Sequence, residues 1–252
     1  MSNLFQNPTA LAYAFLVGVV PALLWLWFWL KEDKEDPEPR GLLAICFILG
    51  MATVIFVLPI EKFIQSHVPD TQIQIFGWAA AEELIKFMAV VLLLYKSDYL
   101  HKPINWPIYL ITCALGFAAF ENVLFLVKPL STLDQTTVGL LTGNLRYLGS
   151  TLLHAVASGM IGISIGLGFH LSGFTKRFYA FIGIISAIVL HTLFNFYIMR
   201  NNGSDFLQVF AFLWVATIIN LLLFEKLRRM SIPKNTYPVR NSTNGEILIV
   251  NN

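Results

Sequence analysis

The chain has 252 residues, of which 56% are hydrophobic and 13% charged, with a formal net charge of +2 at pH 7. Soluble domains carry about 25% charged residues because their surface must be solvated; half that share, with long uncharged runs, excludes an ordinary soluble domain and predicts an all-α polytopic membrane bundle. The small net charge excludes nucleic acid as a partner, and Cys46 and Cys113, both inside apolar runs, offer neither a disulfide framework nor a metal-binding spacing.

A hydrocarbon core about 30 Å thick takes about 20 helical residues to cross. Seven runs are long enough, at about 10–30, 41–60, 73–95, 104–127, 148–171, 178–198 and 206–225. The first contains LAYAFLVGVVPALLWLWFWL, which lacks the basic n-region and small-residue cleavage site of a signal peptide. Its Trp25, Trp27 and Trp29 read as an interfacial aromatic anchor. KEDKEDPEPR (31–40) follows as a solvated connector, and the second run has charges only at its ends.

The third run carries Glu82, Glu83 and Lys86, and the fourth carries Glu121 followed by Asn122. The fifth carries His154. Its ridges of small residues, Ser158, Gly162 and Gly166 beside Ala155 and Gly159, read as helix packing. The sixth carries His191, with Asn195 one turn later, and the seventh has no ionisable residue except near its end. The chain from about Ser231 is polar and reads as a flexible tail. The expected organisation is one membrane domain over 1–230, its site within 73–198, and a cytoplasmic tail over 231–252.

Lys and Arg in the loops set the orientation. Twelve fall on the side that holds 31–40 and the tail, and four on the other. The positive-inside rule then puts the N-terminus outside and the C-terminus in the cytoplasm of a multi-pass protein of the cell membrane, the inner membrane of a bacterium.

A charged group at the centre of a membrane helix costs about 2.5–3.5 kcal/mol on insertion scales, so four successive helices that each carry ionisable groups need a reason. With neighbouring helices antiparallel, Glu83, Glu121, His154 and His191 all fall roughly 10–17 Å below the outer boundary. Lys86 lies about 40° round its helix from Glu82 and about 60° from Glu83, so it can pair with either carboxylate. Phe117 and Glu121 share a face, as do His191 and Asn195. His170 lies about four turns from His154, and His67 and His101 fall in loops, so these three are excluded.

Carboxylates and imidazoles at one depth suit general-base hydrolysis. Two histidines with a carboxylate, here His154, His191 and Glu121, also make a catalytic zinc set, although the H-E-x-x-H signature is absent. The alternative is a proton- or ion-coupled transporter that uses the buried Glu/His cluster. The chain shows no matching halves, which weakens that alternative.

The order Glu82-Glu83-x-x-Lys86, Phe117-x-x-x-Glu121-Asn122, His154 and His191-x-x-x-Asn195 resembles the PrsW intramembrane proteases, a family in the superfamily of CAAX prenyl endopeptidases and bacteriocin-processing enzymes. Pro37-Glu38-Pro39 is similar to a segment often seen there. The likeness spans about Asp36 to Asn195.

The resemblance implies proteolysis of membrane-anchored substrates, either single-pass proteins or membrane-associated peptides, near the outer face; the family's namesake makes a first cut in an anti-sigma factor. It implies Glu82 as the base that activates water and Glu83 with Lys86 as a supporting pair, roles the two glutamates could exchange. His154 and His191 would hold an oxyanion or a metal, and Asn195 would orient His191 or the substrate carbonyl. The prenyl endopeptidases have a histidine where Glu121 stands, and the extra negative charge favours a bound cation or a protonated carboxyl. The resemblance therefore leaves glutamic-type and zinc-dependent chemistry open, with the metal-free glutamate mechanism preferred.

Overall fold

A computed structural model describes residues 8–31, 38–95, 97–130, 137–199, 206–231, 236–240 and 247–251. Its helices are α1 (Pro8–Lys31), α2 (Arg40–His67), α3 (Thr71–Leu93), α4 (Asn105–Leu130), α5 (Thr137–Leu167), α6 (Gly173–Met199) and α7 (Phe206–Ser231). Six of them are long and apolar enough to cross a membrane. Helix α3 has the length, 23 residues, but not the uniform composition, because it carries Glu82, Glu83 and Lys86. In the segment expected to be a flexible tail, strands β1 (Thr236–Arg240) and β2 (Ile247–Asn251) pair as an antiparallel ribbon, with Tyr237 opposite Val250.

Helices α4 and α5 form the centre. Their spans Asn105–Leu126 and Gly149–Leu167 are each 78% buried, whereas the other spans are 22–39% buried. Helices α1, α2, α5 and α3 pack on α4, while α6 and α7 pack on α5. The exposed faces of the outer helices are apolar (Phe56, Leu92, Phe181 and Leu222 among them), as a lipid-facing surface requires.

Two reciprocal glycines bring α2 against α4. A Cβ on Gly50 would overlap the carbonyl of Cys113, and one on Gly116 would overlap the carbonyl of Phe47. Close backbone approach of this kind is the usual basis of helix association in lipid, where no hydrophobic force drives helices together.

The ends of these helices are fixed by polar contacts. Asp70 caps α3 by accepting hydrogen bonds from the backbone N–H groups of Gln72 and Ile73, at 2.8 and 3.0 Å. At the start of α2, the Glu38 carboxylate accepts from Asn105 Nδ2 and from the Tyr109 hydroxyl, so Glu38 is a latch onto the first turns of α4. The expected tryptophan anchor divides: Trp27 is exposed, but Trp29 is buried against Phe224 with ring centroids 5.3 Å apart.

Candidate active site

Helices α3, α4, α5 and α6 bring Glu82, Glu83, Lys86, Glu121, His154 and His191 together, as their depths predict. Glu83 and Lys86 are fully buried, and Glu82, His154 and His191 are no more than 3% exposed. Glu121 is the most open of the six, with 19% of its side chain accessible.

Lys86 chooses Glu83 rather than Glu82, with Nζ 2.6 Å from Glu83 Oε1. Glu83 is saturated further by Ser158 Oγ, which donates to Oε2 at 2.9 Å, and by His191 Nδ1, 2.8 Å from Oε1. Such a carboxylate is a structural hub: removing one partner of a buried ion pair costs about 3–5 kcal/mol. Lys86 Nζ also stands 3.0 Å from His154 Nδ1 and lies over the Phe117 ring at 4.9 Å. Phe117 in turn packs against the His154 ring at 5.1 Å.

Glu82 is left in the opposite condition. Its Oε2 is buried and accepts no hydrogen bond among the described residues. It faces His191 Nε2 at 3.7 Å and His154 Nδ1 at 3.8 Å. The two imidazoles are 5.0 Å apart, edge to face.

The partners assign both tautomers. Glu83, already bound by Lys86, accepts the Nδ1–H of His191, which leaves the Nε2 lone pair toward Glu82. Glu121 Oε2, 2.9 Å from His154 Nε2, accepts that N–H, so the Nδ1 lone pair of His154 points toward Lys86 and Glu82. Both histidines thus turn a basic nitrogen to the same gap.

That arrangement fits a divalent cation. Glu82, His154 and His191 each offer a ligand atom, all within 4.8 Å of one another. The donor set is the two imidazoles and one carboxylate of catalytic zinc sites, and the far nitrogens are bonded to carboxylates as ligand imidazoles usually are. The carboxylate that meets both rings is Glu82, whereas Glu121, the one expected from sequence, lies outside that set and meets His154 Nε2 at 2.9 Å.

The remaining expected residues are more peripheral. Asn122 is buried but donates to Thr151 Oγ1 at 2.8 Å, bracing α4 on α5. Asn195 is half-buried one turn beyond His191, with no hydrogen bond among the described residues. His67 and His101 bond to nearby backbone, Phe63 O and Asp98 O, at 2.9 Å.

Two participants were not singled out from sequence. In the sequence Ser158 reads only as a packing residue. Glu61 reads as a charge beyond the end of the second run, but α2 continues to His67 and includes it, half-buried. There its side chain lies near that of Glu82. The signal available was a glutamate at the C-terminal end of the second run, next to the start of the third, which carries Glu82 and Glu83.

A family model described as "PrsW family intramembrane metalloprotease" matches residues 38–222. Curated relatives, each called "Protease PrsW", are 26% identical over 85% of this chain and 96% of the relative in Oceanobacillus iheyensis. The corresponding figures are 23% over 79% and 87% in Geobacillus kaustophilus, and 22% over 84% and 90% in Clostridioides difficile. No solved structure matches.

Proposed function

The chain belongs to the PrsW family of intramembrane proteases, and from that premise we propose that the Glu82–His154–His191 cluster hydrolyses peptide bonds of membrane-anchored substrates with water activated at Glu82. That the chain is a multi-pass membrane peptidase follows from the family and the apolar spans. The family disfavours the coupled transporter. The assignment of residues rests on one observation above all, the buried and unpartnered Glu82 Oε2 between two imidazole lone pairs.

Glu82 takes the proton of the attacking water as its oxygen adds to the scissile carbonyl, and returns that proton to the leaving amine when the C–N bond breaks. Glu83 and Glu121 hold His191 and His154 from behind. Lys86 balances the charge of Glu83, so that the buried site does not carry adjacent carboxylates without a counter-ion. The amide of Asn195, unbonded among the described residues, is available to orient the substrate carbonyl.

His154 and His191 are the residues that would hold a divalent cation such as zinc beside Glu82. When bound, it would polarise the water and the carbonyl and supply the oxyanion stabilisation that two lone pairs cannot give. The tautomers therefore support the metal-dependent alternative over the metal-free one preferred from sequence.

The substrates proposed are single-pass membrane proteins, an anti-sigma factor specifically, cut near the outer face. Glu82→Ala, His154→Ala and His191→Ala are each expected to lower cleavage of a single-pass reporter by at least about 10²-fold while the protein still accumulates in the membrane. Cleavage retained in both histidine variants sinks the reading. Comparative membrane proteomics of wild type and Glu82→Ala identifies the substrate as the single-pass protein that persists uncut in the variant.

A further inference from the structure

We propose that Ser158 is a positioning residue of this site, holding His191 toward Glu82 through the Glu83 carboxylate, which binds both Ser158 and His191. The proposal rests on the reading of the Glu82–His154–His191 cluster as the hydrolytic site.

A hydroxyl inside an apolar helix commonly bonds back to its own backbone. Thr112, Thr192 and Thr217 do so here, each donating to the carbonyl four residues earlier at 2.7–2.8 Å. Ser158, fully buried, instead donates across to α3, to Glu83 Oε2 at 2.9 Å. It stands one turn after His154 on the same face of α5. Helix α5 is set by backbone contact with α4, where a Cβ on Gly162 would overlap the backbone of Pro107. The hydroxyl is thus presented from a fixed element, as a group that orients a site must be. Packing alone does not call for it, since Ala155 and Ala157 fill neighbouring buried positions of the same helix.

The division of donors on Glu83 assigns the function. Lys86 Nζ and His191 Nδ1 both bond to Oε1, at 2.6 and 2.8 Å, and together fill that oxygen. Oε2 has Ser158 as its only hydrogen-bond donor among the described residues. The terminal torsion of a glutamate is broad and roughly two-fold, so the plane of a buried carboxylate is set by its hydrogen bonds. Ser158 sets it from a third helix and keeps Oε1 turned to Lys86 and His191 at once. Without the hydroxyl, Oε2 is buried with no donor, and the carboxylate gains by turning until each oxygen takes one of the two remaining donors. His191 is then drawn round with it, and its Nε2 leaves the gap where it now faces Glu82 at 3.7 Å.

The test compares Ser158→Ala, Ser158→Cys, Ser158→Thr and Glu82→Ala in the full-length protein, with kcat and KM measured on the single-pass reporter. Rates are taken per folded protein, well below the unfolding temperature of each variant, so that a loss of stability alone does not move kcat. Ser158→Ala is expected to lose about tenfold in kcat with KM unchanged, as a displaced reacting group does. Ser158→Thr keeps the hydroxyl and is expected to stay within about threefold of wild type. Ser158→Cys, whose S–H is a weaker donor, is expected to fall between wild type and Ser158→Ala, and it carries the comparison if either of the others does not accumulate in the membrane. Wild-type kcat in Ser158→Ala or Ser158→Cys overturns the proposal, as does a Thr variant as slow as Ala, or a loss confined to KM. Full cleavage by Glu82→Ala would instead overturn the reading of the site itself, and the proposal with it.

Discussion

His154 and His191 sit 5.0 Å apart yet are held by opposite ring nitrogens, Nε2 in one and Nδ1 in the other. The two carboxylates behind them enter from different helices, and each takes the N–H that would otherwise face the gap. The consequence is a pair of basic nitrogens beside an unpartnered carboxylate oxygen, which attracts a cation and repels an oxyanion. His154 Nδ1 accepts from Lys86 Nζ at 3.0 Å, so a cation held by His154 would require Lys86 to turn from the imidazole toward Glu83. We therefore expect elemental analysis of the purified protein to find about one zinc-like divalent ion per chain, held by the His154–His191 pair beside Glu82. The His154→Ala/His191→Ala double variant is expected to lose it. Chelation should stop reporter cleavage and added zinc should restore it; a metal-free preparation with full activity would exclude the cation.

Helix α2 reaches the site as well, although the sequence reading gives it no part there. Gly50 and Gly116 let it lie backbone to backbone on α4, and this contact fixes where its later turns, Glu61 included, meet α3. Gly50→Leu is expected to destabilise the protein by about 1–3 kcal/mol or more, since the obstacle is a main-chain carbonyl that cannot rotate away. Gly41→Ala in the same helix meets nothing within 4 Å and should leave thermal unfolding in detergent unchanged. The same helix shows what the sequence conceals. Hydrophobic runs located all seven helices, because a span must be apolar over its whole length. They ended the second near residue 60, because Pro59, Glu61 and Lys62 look like a boundary. A helix that ends in polar company rather than lipid can run on past its apolar stretch, and α2 does so to His67. The six inner ionisable residues were legible for the opposite reason: their cost in lipid makes any such residue conspicuous. Ser158 was concealed because a hydroxyl in a row of small residues looks like packing until its acceptor, Glu83, is seen. Which glutamate Lys86 would choose was also hidden, since both spacings permit a pair; Ser158 and His191 decide it by converging on Glu83.

At the scale of the molecule, α4 joins two polar centres in an apolar body. Asn105 and Tyr109 at its start receive Glu38 of the Pro-Glu-Pro segment, and Glu121 lies 16 residues beyond Asn105, about 24 Å along the axis. The latch and the reaction site are thus near opposite faces of the bundle, and the direction of α4 determines which face each serves. The loop charges propose that the latch is cytoplasmic and the site lies toward the outside, so that substrates are cut on the outer side of the hydrocarbon core. Single added cysteines test this, because the native Cys46 and Cys113 are buried and unpaired and should stay silent. Ser66→Cys, exposed on the last turn of α2, should react with a membrane-impermeant maleimide in intact cells. Ser172→Cys, exposed between α5 and α6, should react only after the membrane is opened. The reverse pattern would invert the molecule and put the Glu82 cluster toward the cytoplasm. An outward-facing site then predicts that a reporter is cut only when its scissile bond lies in the outer half of its membrane segment. Moving that bond inward by about two helical turns, roughly 11 Å, should abolish cleavage without changing how much reporter reaches the membrane.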